Sequence, residues 1–544
     1  MLGRYLRWGI VVLAACWLVP VGGFAEGDFA VGVVPSDDGG LASSVGRDQE
    51  LSADQVLDMV RRAVDLVGGM AAVVPDTARL VAIKPNISII MEPESGVVTD
   101  PRVVRAVAIL VREVAPQARL LIVEGPGGWV PPEMAEKHGV ETSFFGRLLM
   151  DMEEDGFEVV GYRAVARELR EAGMDIECYD LNFDRARTLE VPGGSMAMPD
   201  YDIATTVLEA DAWINCPVTK THGTKITCAM KNNFGLLPGL VYGFDKSRGT
   251  EKHAGIPHDP GMADEMMVDL YLLAQADLHV VDGIVGRQAG GLQFGEPIRT
   301  NLVLAGRDAV AVDLVVAQLL GFNPDDMEFA ELARRRGRGP GVYENVEIRG
   351  GDVEKLKRRF RKAGEAYEFL WFTREDWKAQ ANYGMGPRYW TLLGPVDEEH
   401  QFGADEIAVL DPVPGVGGWS EVVWFGHDKI DLDGHFDDPA HCAVYGFTRF
   451  HMPQADSVRY WVGSDEGFQV WIDGGEIYGH AERREHELGM ERLPGFLQAG
   501  EHRLLIRAQQ SRGDFDFSIN ICEPIDDEYY AGNRYPGLRY FAQR

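Results

Sequence analysis

A short run of the sequence combines lysine and histidine side chains with no carboxylate. Residues 215–235 include Lys220, His222, Lys225 and Lys231 but no Asp or Glu, although the whole chain has 85 acidic and 53 basic residues. Lysines neutralise and orient carboxylates or phosphates, and an imidazole transfers protons near neutral pH. The run therefore predicts a small-anion site centred on Lys220 and His222. The alternative is a solvated loop that leads into an ordinary helix.

Other polar residues follow short apolar segments that read as strands. Such segments end at Lys84, which is followed by Asn86, and at Glu124 and Asp282. Because the loops at the carboxyl ends of parallel strands converge, we expect these side chains to meet the lysine- and histidine-containing run. The glycines at 125–128 lack a complete dinucleotide-binding or P-loop pattern, so we interpret them as a tight turn.

Histidine and cysteine spacing raises the question of a metal. His253 and His258 lie in a predicted loop and could converge with His222, although loop histidines are usually solvated. Cys216 and Cys228 flank His222 at even spacing, but their apolar neighbours favour packed thiols. The sequence has no C-x-x-C, so neither a zinc ribbon nor an iron–sulfur cluster is predicted. The sequence does not identify any other cofactor.

The elements that must position these residues alternate between strands and helices over residues 26–345. Ser52 and Asp308 are predicted helix N-caps, and Gly321 is a predicted C-cap. Apolar strands separated by helices predict an α/β unit with a parallel sheet covered on both faces.

Within the lysine- and histidine-containing run, we predict a strand end, a loop over residues 217–223 and a helix capped by Thr224. This arrangement would bring Lys220 and His222 near a helix N-terminus, where free N–H groups favour anions. Lys231 would lie near the C-terminus of that helix, where a cation is favourable without any function.

The sequence changes character in its last third. Residues 346–388 are charged and read as a helical connector. Residues 389–525 contain short runs with period-two patterning and turn signals, which predict an antiparallel β-sandwich, and residues 526–544 form a tail.

The first 25 residues have the pattern of an export signal. Arg4 and Arg7 precede an apolar core, and small residues precede a cleavage position after Ala25. An alternative is a lipobox that would attach a lipid to Cys16. Either reading predicts a protein that is periplasmic, secreted or on the cell surface. The formal net charge of −32 disfavours nucleic acid as a partner.

Removal of residues 1–25 would leave an odd number of cysteines, which cannot all pair within the chain. Cys442 and Cys522 fall in the predicted sandwich and are candidates for a disulfide, although nothing in the sequence determines the distance between them.

Several motifs together resemble the domain of unknown function 362 family, whose members often accompany iron–sulfur modules. They occur in family order between about residues 81 and 324, in the segments 83–86, 208–222, 230–235, 281–284 and 307–313. The resemblance implies a Rossmann-like α/β domain with a site built from Lys84, Asn86, Lys220, His222, Lys231, Asn232 and Asp282. The family's frequent ferredoxin-like cysteine cluster is absent from this sequence, so electron transfer is not carried over.

The predicted sandwich resembles galactose-binding-like and protective-antigen-like domains. The resemblance rests on residues 390–395, 463–467 and 470–474. Such modules often bind carbohydrate, so Trp461 or Trp471 could stack on a sugar; the alternative is that these tryptophans fill the core.

Two classes of function follow from these patterns. The first is an exported enzyme that transfers a proton or hydride on a small carboxylate or phosphorylated compound, as a racemase or an oxidoreductase does. Lys84 and Lys220 would then orient the substrate and His222 would transfer protons, with Lys220 and Asp282 completing the catalytic set. The second is a non-catalytic surface protein that binds a ligand and a glycan.

Overall fold

The computed structural model describes residues 29–127, 155–223, 225–244, 255–257, 262–290, 295–363, 384–527 and 530–541, together with residues 137 and 246. We use "α/β region" for residues 29–363 and "C-terminal β region" for residues 384–541. The export signal predicted for residues 1–25, with Cys16, and also Thr224, His253 and His258 lie outside the described residues.

The α/β region is built on one large sheet and a separate two-stranded sheet. Its strands are β1 (Ala30–Pro35), β2 (Leu80–Lys84), β3 (Arg119–Glu124), β4 (Ile176–Asp180), β5 (Ala186–Leu189), β6 (Tyr201–Ala204), β7 (Ala212–Asn215), β8 (Val218–His222), β9 (Lys225–Thr227), β10 (Leu278–Gln288), β11 (Glu296–Gly306) and β12 (Glu347–Gly350). The large sheet has the order β12-β1-β11-β10-β7-β2-β3-β4, with β8 beside β10 and β9 beside β8. β5 and β6 form the small sheet.

The large sheet is mixed, whereas the sequence predicted a parallel sheet. β7, β2, β3 and β4 are parallel neighbours, but β11 runs antiparallel to both β1 and β10. Only residues 289–295 connect β10 to β11, and so short a connection allows an antiparallel pair but no crossover. Apolar strands buried on both faces have the same residue pattern in either direction, so this reversal could not be predicted from the pattern.

Helices cover both faces of the sheet. They are α1 (Ala53–Leu66), α2 (Pro101–Val114), α3 (Gly156–Val159), α4 (Tyr162–Glu171), α5 (Thr205–Leu208), α6 (Ala229–Asn232), α7 (Gly239–Tyr242), α8 (Met262–Leu273), α9 (Ala309–Leu320), α10 (Glu328–Arg335) and α11 (Val353–Leu356). One core cluster contains α1, α2 and α4, and the other contains α8, α9 and α10. The predicted caps are confirmed: Ser52 and Asp308 cap α1 and α9, and Gly321 ends α9 in a left-handed conformation.

The lysine- and histidine-containing run folds differently from the prediction. Where the sequence predicted a loop, the structure has strand β8. Strand β9 pairs with β8 as the second strand of a hairpin, in which His222 lies opposite Lys225. The helix begins only at Ala229 and continues after Asn232 as a 3-10 turn. β-Branched Val218, Thr219 and Thr221 favour the extended conformation of β8, and pairing with β10 stabilises it.

The segment predicted as a helical connector begins with a strand. β12 pairs in parallel with β1 at the edge of the large sheet, and α11 is a single short turn of helix. Residues 364–383 of the segment lie outside the described part of the chain. Glu347–Gly350 is therefore part of the α/β sheet rather than of a connector.

The C-terminal β region consists of two antiparallel sheets around a main hydrophobic core, with two smaller hydrophobic clusters beside it. Its elements are β13 (Tyr389–Asp397), α12 (Ala404–Val409), β14 (Val423–Trp424), β15 (Ile430–Asp431), α13 (Asp433–Phe436), β16 (Cys442–Met452), β17 (Asp456–Ser464), β18 (Phe468–Ile472), β19 (Gly475–His480), β20 (Glu491–Leu497), β21 (Gly500–Gln510), β22 (Asp516–Cys522) and β23 (Arg539–Phe541). The main order is β14-β13-β16-β21-β18-β19 in one sheet, with β23 beside β16, and β15-β22-β17-β20 in the other. Cys442 and Cys522 are free thiols, so the disulfide considered from the sequence does not form.

None of the helices in the described residues is long and apolar enough to cross a membrane.

Candidate functional site

Four neighbouring parallel strands of the α/β region end in polar residues. β7, β2, β3 and β4 end at Asn215, Lys84, Glu124 and Asp180, and the strand register pairs Lys84 with Asn215 and Glu124 with Asp180. The carboxyl ends of parallel strands are the usual place for a ligand in an open α/β sheet. We call this edge, with the side chains that converge on it, the strand-end site.

Lys84 is fully buried in the strand-end site, and neighbouring groups accept all of its hydrogen bonds. Its Nζ lies 2.8 Å from Glu124 Oε2, 3.1 Å from the Pro85 carbonyl oxygen and 3.2 Å from Asn232 Oδ1. Burial lowers the pKa of Lys84, and the charge of Glu124 opposes this effect. An ammonium has three N–H donors, so Lys84 has none left for a ligand in this arrangement.

Asn232 links the lysines of the strand-end site. Its Oδ1 accepts hydrogen bonds from Lys84 and from Asn86 Nδ2, the latter at 2.9 Å. Its Nδ2 donates to Asn215 Oδ1 at 2.6 Å, and Asn215 Nδ2 in turn donates to the Ala229 carbonyl oxygen at 3.0 Å. These bonds tie the beginning and end of α6 to the ends of β2 and β7.

Lys220 is buried among neutral acceptors. Its Nζ donates to Asn86 Oδ1 at 2.6 Å, to Ser88 Oγ at 3.0 Å and to the Val97 carbonyl oxygen at 2.8 Å. Burial is the main reason why the pKa of Lys220 falls to about 7, and the positive charge of Lys231 lowers it further. Lys220 therefore titrates near neutrality, although its donors are all in use.

Lys231 differs from its two neighbours because its ammonium donates no hydrogen bond within the described part of the chain. The side chain is partly buried, and its Nζ lies 4.5 Å from the centre of the Phe234 ring. Burial lowers the pKa of Lys231 to about 8, and the charge of Asp264 opposes this effect. All three N–H donors of a cationic group are therefore unassigned at the strand-end site.

Two glycines allow the backbone to pack directly against the charged pair. A Cβ on Gly235 would lie 1.9 Å from Glu124 Oε1 and 2.6 Å from Lys84 Nζ. A Cβ on Gly125 would lie 2.7 Å from the Gly235 carbonyl oxygen and 2.8 Å from Lys246 Nζ. Any side chain at position 235 would therefore separate Lys84 from Glu124.

Lys246 and Asp180 extend the strand-end site beyond the residues identified from the sequence. Lys246 Nζ donates to the Leu237 carbonyl oxygen at 2.6 Å, and burial lowers its pKa to about 8. Burial also raises the pKa of Asp180 to about 7, and Asp180 Oδ2 is buried without a hydrogen-bond partner among the described residues. The period-two pattern of residues 176–180 was the signal that could have revealed Asp180, whereas nothing local marks Lys246.

Asp282 organises the backbone beside the strand-end site. Its Oδ2 accepts a hydrogen bond from the Asp100 amide at 2.7 Å, and its Oδ1 accepts one from the Ile284 amide at 2.9 Å. Burial raises the pKa of Asp282 to about 7, and the charge of Asp100 adds to this rise. Because Asp100 caps α2, the Asp282 carboxylate fixes the start of that helix relative to β10.

The N-terminus of α6 is already occupied by a carboxylate of the protein. Asp313 Oδ1 accepts from the Ala229 amide at 2.7 Å, and Asp313 Oδ2 accepts from the Met230 amide at 2.9 Å. The free helix N-terminus that the sequence suggested as an anion site is therefore not available.

His222 ends β8 and is partly buried, so it lies on the same strand as Lys220. The proposed convergence of His222 with His253 and His258 involves residues outside the described part. Among the described residues, no group of three or more His, Cys, Asp or Glu side chains is placed to hold a metal ion. Cys216 and Cys228 are buried free thiols, and burial raises the pKa of both.

The C-terminal tryptophans considered for sugar stacking are buried. Trp461 and Trp471 have 4% and 6% of their surface exposed. The guanidinium of Arg492 lies 4.0 Å from the centre of the Trp461 ring. Neither tryptophan belongs to the main core between the two sheets: Trp471 packs in a smaller cluster with Trp419 and Tyr445, and Trp461 packs in another with Cys522 and Ala531.

A family model and one relative match long parts of the chain. A family model described as "Domain of unknown function (DUF362)" matches residues 81–318, in agreement with the resemblance noted from the motifs. The chain is also 26% identical over 302 residues to the thylakoid-associated protein sll1697 of Synechocystis sp., an alignment that covers 55% of this chain and 81% of that protein.

The similar solved structures match much shorter parts of the chain. The PA14 domain of the MpAFP antifreeze protein is 13% identical, covers 17% of this chain and 48% of that chain, and has a TM-score of 0.15. The PA14 sugar-binding domain from an RTX adhesin is 15% identical, covers 18% and 54%, and has a TM-score of 0.14. The chain thus spans about half the length of each of these structures, and such TM-scores carry no argument about the C-terminal β region.

Proposed function

We propose that the strand-end site binds a small anion, namely a carboxylate or a phosphorylated compound. The observation that carries this proposal is the ammonium of Lys231, whose three donors are unassigned among the described residues while those of Lys84 and Lys220 are all in use. Lys220, whose pKa is lowered by the charge of Lys231, adds positive charge beside it and has no carboxylate within ion-pairing distance in the described part. A bound anion would supply the negative charge that these lysines lack in their immediate surroundings, although the chain as a whole has a net charge of −32.

The residues divide into a ligand contact and a frame that holds it. Lys231 is the contact, and Lys84, Asn86 and Asn232 form the hydrogen-bonded frame that fixes α6. This role for Lys231 rests on geometry, whereas in the sequence it rested on the family resemblance, with a helix-end position as the alternative explanation. Preorganised cations in a buried site bind an anion more strongly than mobile surface lysines do, because little side-chain entropy is lost on binding.

The near-neutral pKa values extend the proposal to proton transfer on the bound anion. Groups with a pKa near the working pH are the most effective general acids and bases, and Lys220 and Lys231 titrate at about 7 and 8. We propose His222 as a further proton-transfer group from its position on β8. The near-neutral lysines support the proton transfer that racemase-like chemistry requires, and hydride transfer by an oxidoreductase would use a redox cofactor in addition.

The remaining parts of the proposal concern the fold and the setting. The DUF362 match supports a Rossmann-like description of the α/β region, and we propose a β-sandwich for the two antiparallel sheets that follow. The first 25 residues lead us to propose export. The Synechocystis relative is named for thylakoid association, which is a property of that protein. A glycan-binding role for the C-terminal β region remains the alternative function.

Titration calorimetry of the full chain tests anion binding. The probes are inorganic phosphate and a panel of two- to four-carbon hydroxy acids at low ionic strength. Lys231→Ala should weaken binding by about tenfold or more, the usual loss for a charge-assisted contact. Lys355→Ala is the control, because Lys355 is an exposed lysine that pairs with Asp352 on the surface. Equal affinity in the two variants and in the wild type would overturn the assignment of Lys231.

Isotope exchange distinguishes an enzyme from a binding protein. Proton NMR in D2O would follow the loss of the α-proton from a hydroxy acid that binds in the calorimeter. If His222 transfers protons, His222→Ala should abolish exchange and leave the affinity nearly intact. Binding without exchange in the wild type would favour the non-catalytic alternative.

A further inference from the structure

The hairpin that carries Lys220 and His222 is fastened on its far side. Lys225, opposite His222 in the hairpin, has a left-handed backbone conformation with φ of 65°. Its Nζ donates to the Asp326 backbone carbonyl oxygen at 2.6 Å and lies 3.3 Å from Asp326 Oδ1. The position of the β8–β9 hairpin therefore depends on where Asp326 is held.

Asp326 is fully buried and is shared with the C-terminal β region. Its Oδ1 accepts a hydrogen bond from the Met385 amide and lies 3.9 Å from Arg534 Nε. Its Oδ2 is buried without a hydrogen-bond partner among the described residues, so the surrounding cations carry much of its compensation. One carboxylate thus contacts the hairpin of the strand-end site and two segments of the C-terminal β region.

The turn that contains Asp326 is itself held by the C-terminal segment. Asn323 Nδ2 donates to the Tyr535 carbonyl oxygen at 2.9 Å, and Arg534 Nη1 donates to the Asp325 carbonyl oxygen at 2.7 Å. Arg539 Nε also lies 3.1 Å from Asp325 Oδ2. These bonds leave the turn little freedom to move without the C-terminal β region.

We propose that Asp326 is a positioning residue through which the C-terminal β region holds the β8–β9 hairpin, and with it Lys220 and His222, in the binding geometry. The effect on ligand affinity rests on the proposed anion site, whereas the effect on the hairpin does not. A buried ion pair is sensitive to loss of one partner, because the other charge is then left uncompensated. Loss of Lys225 or of Asp326 should therefore loosen the hairpin rather than merely remove a surface contact.

A matched control exists at the contact between the same two regions. Arg359 of the α/β region pairs with Glu523 of the C-terminal β region, and this ion pair includes no residue of the hairpin. Glu523→Gln removes an ion pair between the regions and leaves the direct contacts of Lys225 and Asp326 in place, although Lys362 lies within electrostatic range of both pairs. If Asp326→Asn has a larger effect than Glu523→Gln, that effect is specific to the hairpin and is not a general weakening of the contact between the two regions.

Hydrogen–deuterium exchange of the full chain is the primary measurement. Peptides covering residues 218–227 should exchange about tenfold faster in Lys225→Met and in Asp326→Asn than in the wild type or Glu523→Gln. Lys225→Met keeps the buried carboxylate and so remains informative if Asp326→Asn fails to fold. Lys225→Arg should restore slow exchange. Unchanged exchange in Lys225→Met, or equal acceleration in Glu523→Gln, would overturn the proposal.

Phosphate titration of the same variants provides the second readout. If the hairpin positions the site, the affinity should fall about tenfold in Lys225→Met, a typical size for coupling between distant sites, and remain unchanged in Glu523→Gln. Faster exchange without any phosphate binding in the wild type would reject the anion site and retain the positioning role. Normal affinity in Lys225→Met despite faster exchange would reject the link between hairpin and ligand.

Discussion

Lys220 at the strand-end site and Asp516 in the C-terminal β region are both buried, but their partners differ. Lys220 donates only to neutral oxygens, and burial lowers its pKa to about 7. Asp516 Oδ2 lies 2.9 Å from Lys429 Nζ, and its Oδ1 is bonded to His486. Burial alone would raise the pKa of Asp516, but these partners hold it below its ordinary value.

The difference in partners distinguishes Asp516, whose charge stabilises the fold, from Lys220, whose charge we assign to ligand binding. Asp516 retains its charge because its partners compensate for burial. Lys220 has no charged partner that compensates for burial, so its pKa is lowered. The ammonium of Lys231 beside it donates no hydrogen bond among the described residues. Perturbed groups of this kind concentrate at functional sites, so the contrast is the physical basis for choosing the α/β region as the place of binding. The predictions below test that contrast, in order of decreasing effect.

The largest effect on stability is expected at Lys84, which among the described residues is the strand-end lysine that forms an ion pair with a carboxylate. Lys84→Met leaves Glu124 buried and unpaired, so the free energy of unfolding should fall by about 3–5 kcal/mol. Chemical denaturation measures this loss. The exposed pair of Arg61 and Glu113 is the control, because Arg61→Met should cost less than about 1 kcal/mol. A similar loss in both variants would show that Lys84 is not held as described.

Asp516→Asn should lower the free energy of unfolding by about 2–3 kcal/mol at pH 7, the size of a hydrogen bond to a charged group. The pKa of Asp516 is depressed in the folded state, so its contribution is present above the unfolded pKa of about 4 and is lost as the pH falls through the folded value. The gap between wild type and variant should therefore narrow below pH 4. A gap that stays constant down to pH 2 would contradict the pairing of Asp516.

Lys220 should show a dependence on pH of the same sign, but in a window above pH 7 rather than below pH 4. Its folded pKa of about 7 lies below the ordinary lysine value, so between these two values the unfolded chain binds more protons than the folded one. The stability of the wild type relative to Lys220→Met should consequently rise by about 2 kcal/mol from pH 7 to pH 9. Denaturation curves at several pH values measure this difference. A flat difference would mean that Lys220 titrates as an ordinary lysine.

Lys231→Ala should change stability least and binding most. The residue donates no hydrogen bond among the described residues, and its contact with the Phe234 ring is modest, so the free energy of unfolding should change by about 0.5 kcal/mol or less. Thermal unfolding without ligand measures this change. A loss comparable with that of Lys84→Met would make Lys231 a structural residue and remove it from the proposed contact.

The sequence was informative wherever local patterns decide the structure. Strand ends at Lys84 and Glu124 and the helix caps Ser52 and Asp308 depend on a few neighbouring residues, and all four have the predicted local setting. The strand end predicted at Asp282 is wrong, because β10 continues past it to Gln288. The convergence of Lys84 with Asn86 and Lys220 could be anticipated because parallel strand ends share one edge.

The sequence was uninformative wherever distant segments decide the structure. Lys246 reaches the strand-end site through a turn whose conformation has no local pattern, and Asp313 takes the N-terminus of α6 from 84 positions along the chain. The helical spacing from Ile226 onward also suited a helix, but residues 218–227 form a hairpin because β10 offers an edge to pair with. Such competition between local preference and tertiary pairing is not visible in a single sequence.

The order of strands in the large sheet has a practical consequence for dissecting the protein. The family match at 81–318 begins inside β2 and ends inside α9, whereas β1 comes before it and β12 after it. A fragment cut at those limits would lack β1, so β11 would present an unpaired edge on which other chains could add. Recombinant production of the matched segment alone should therefore favour aggregation, and fragments intended for crystallisation need to start before Ala30 and extend past Gly350.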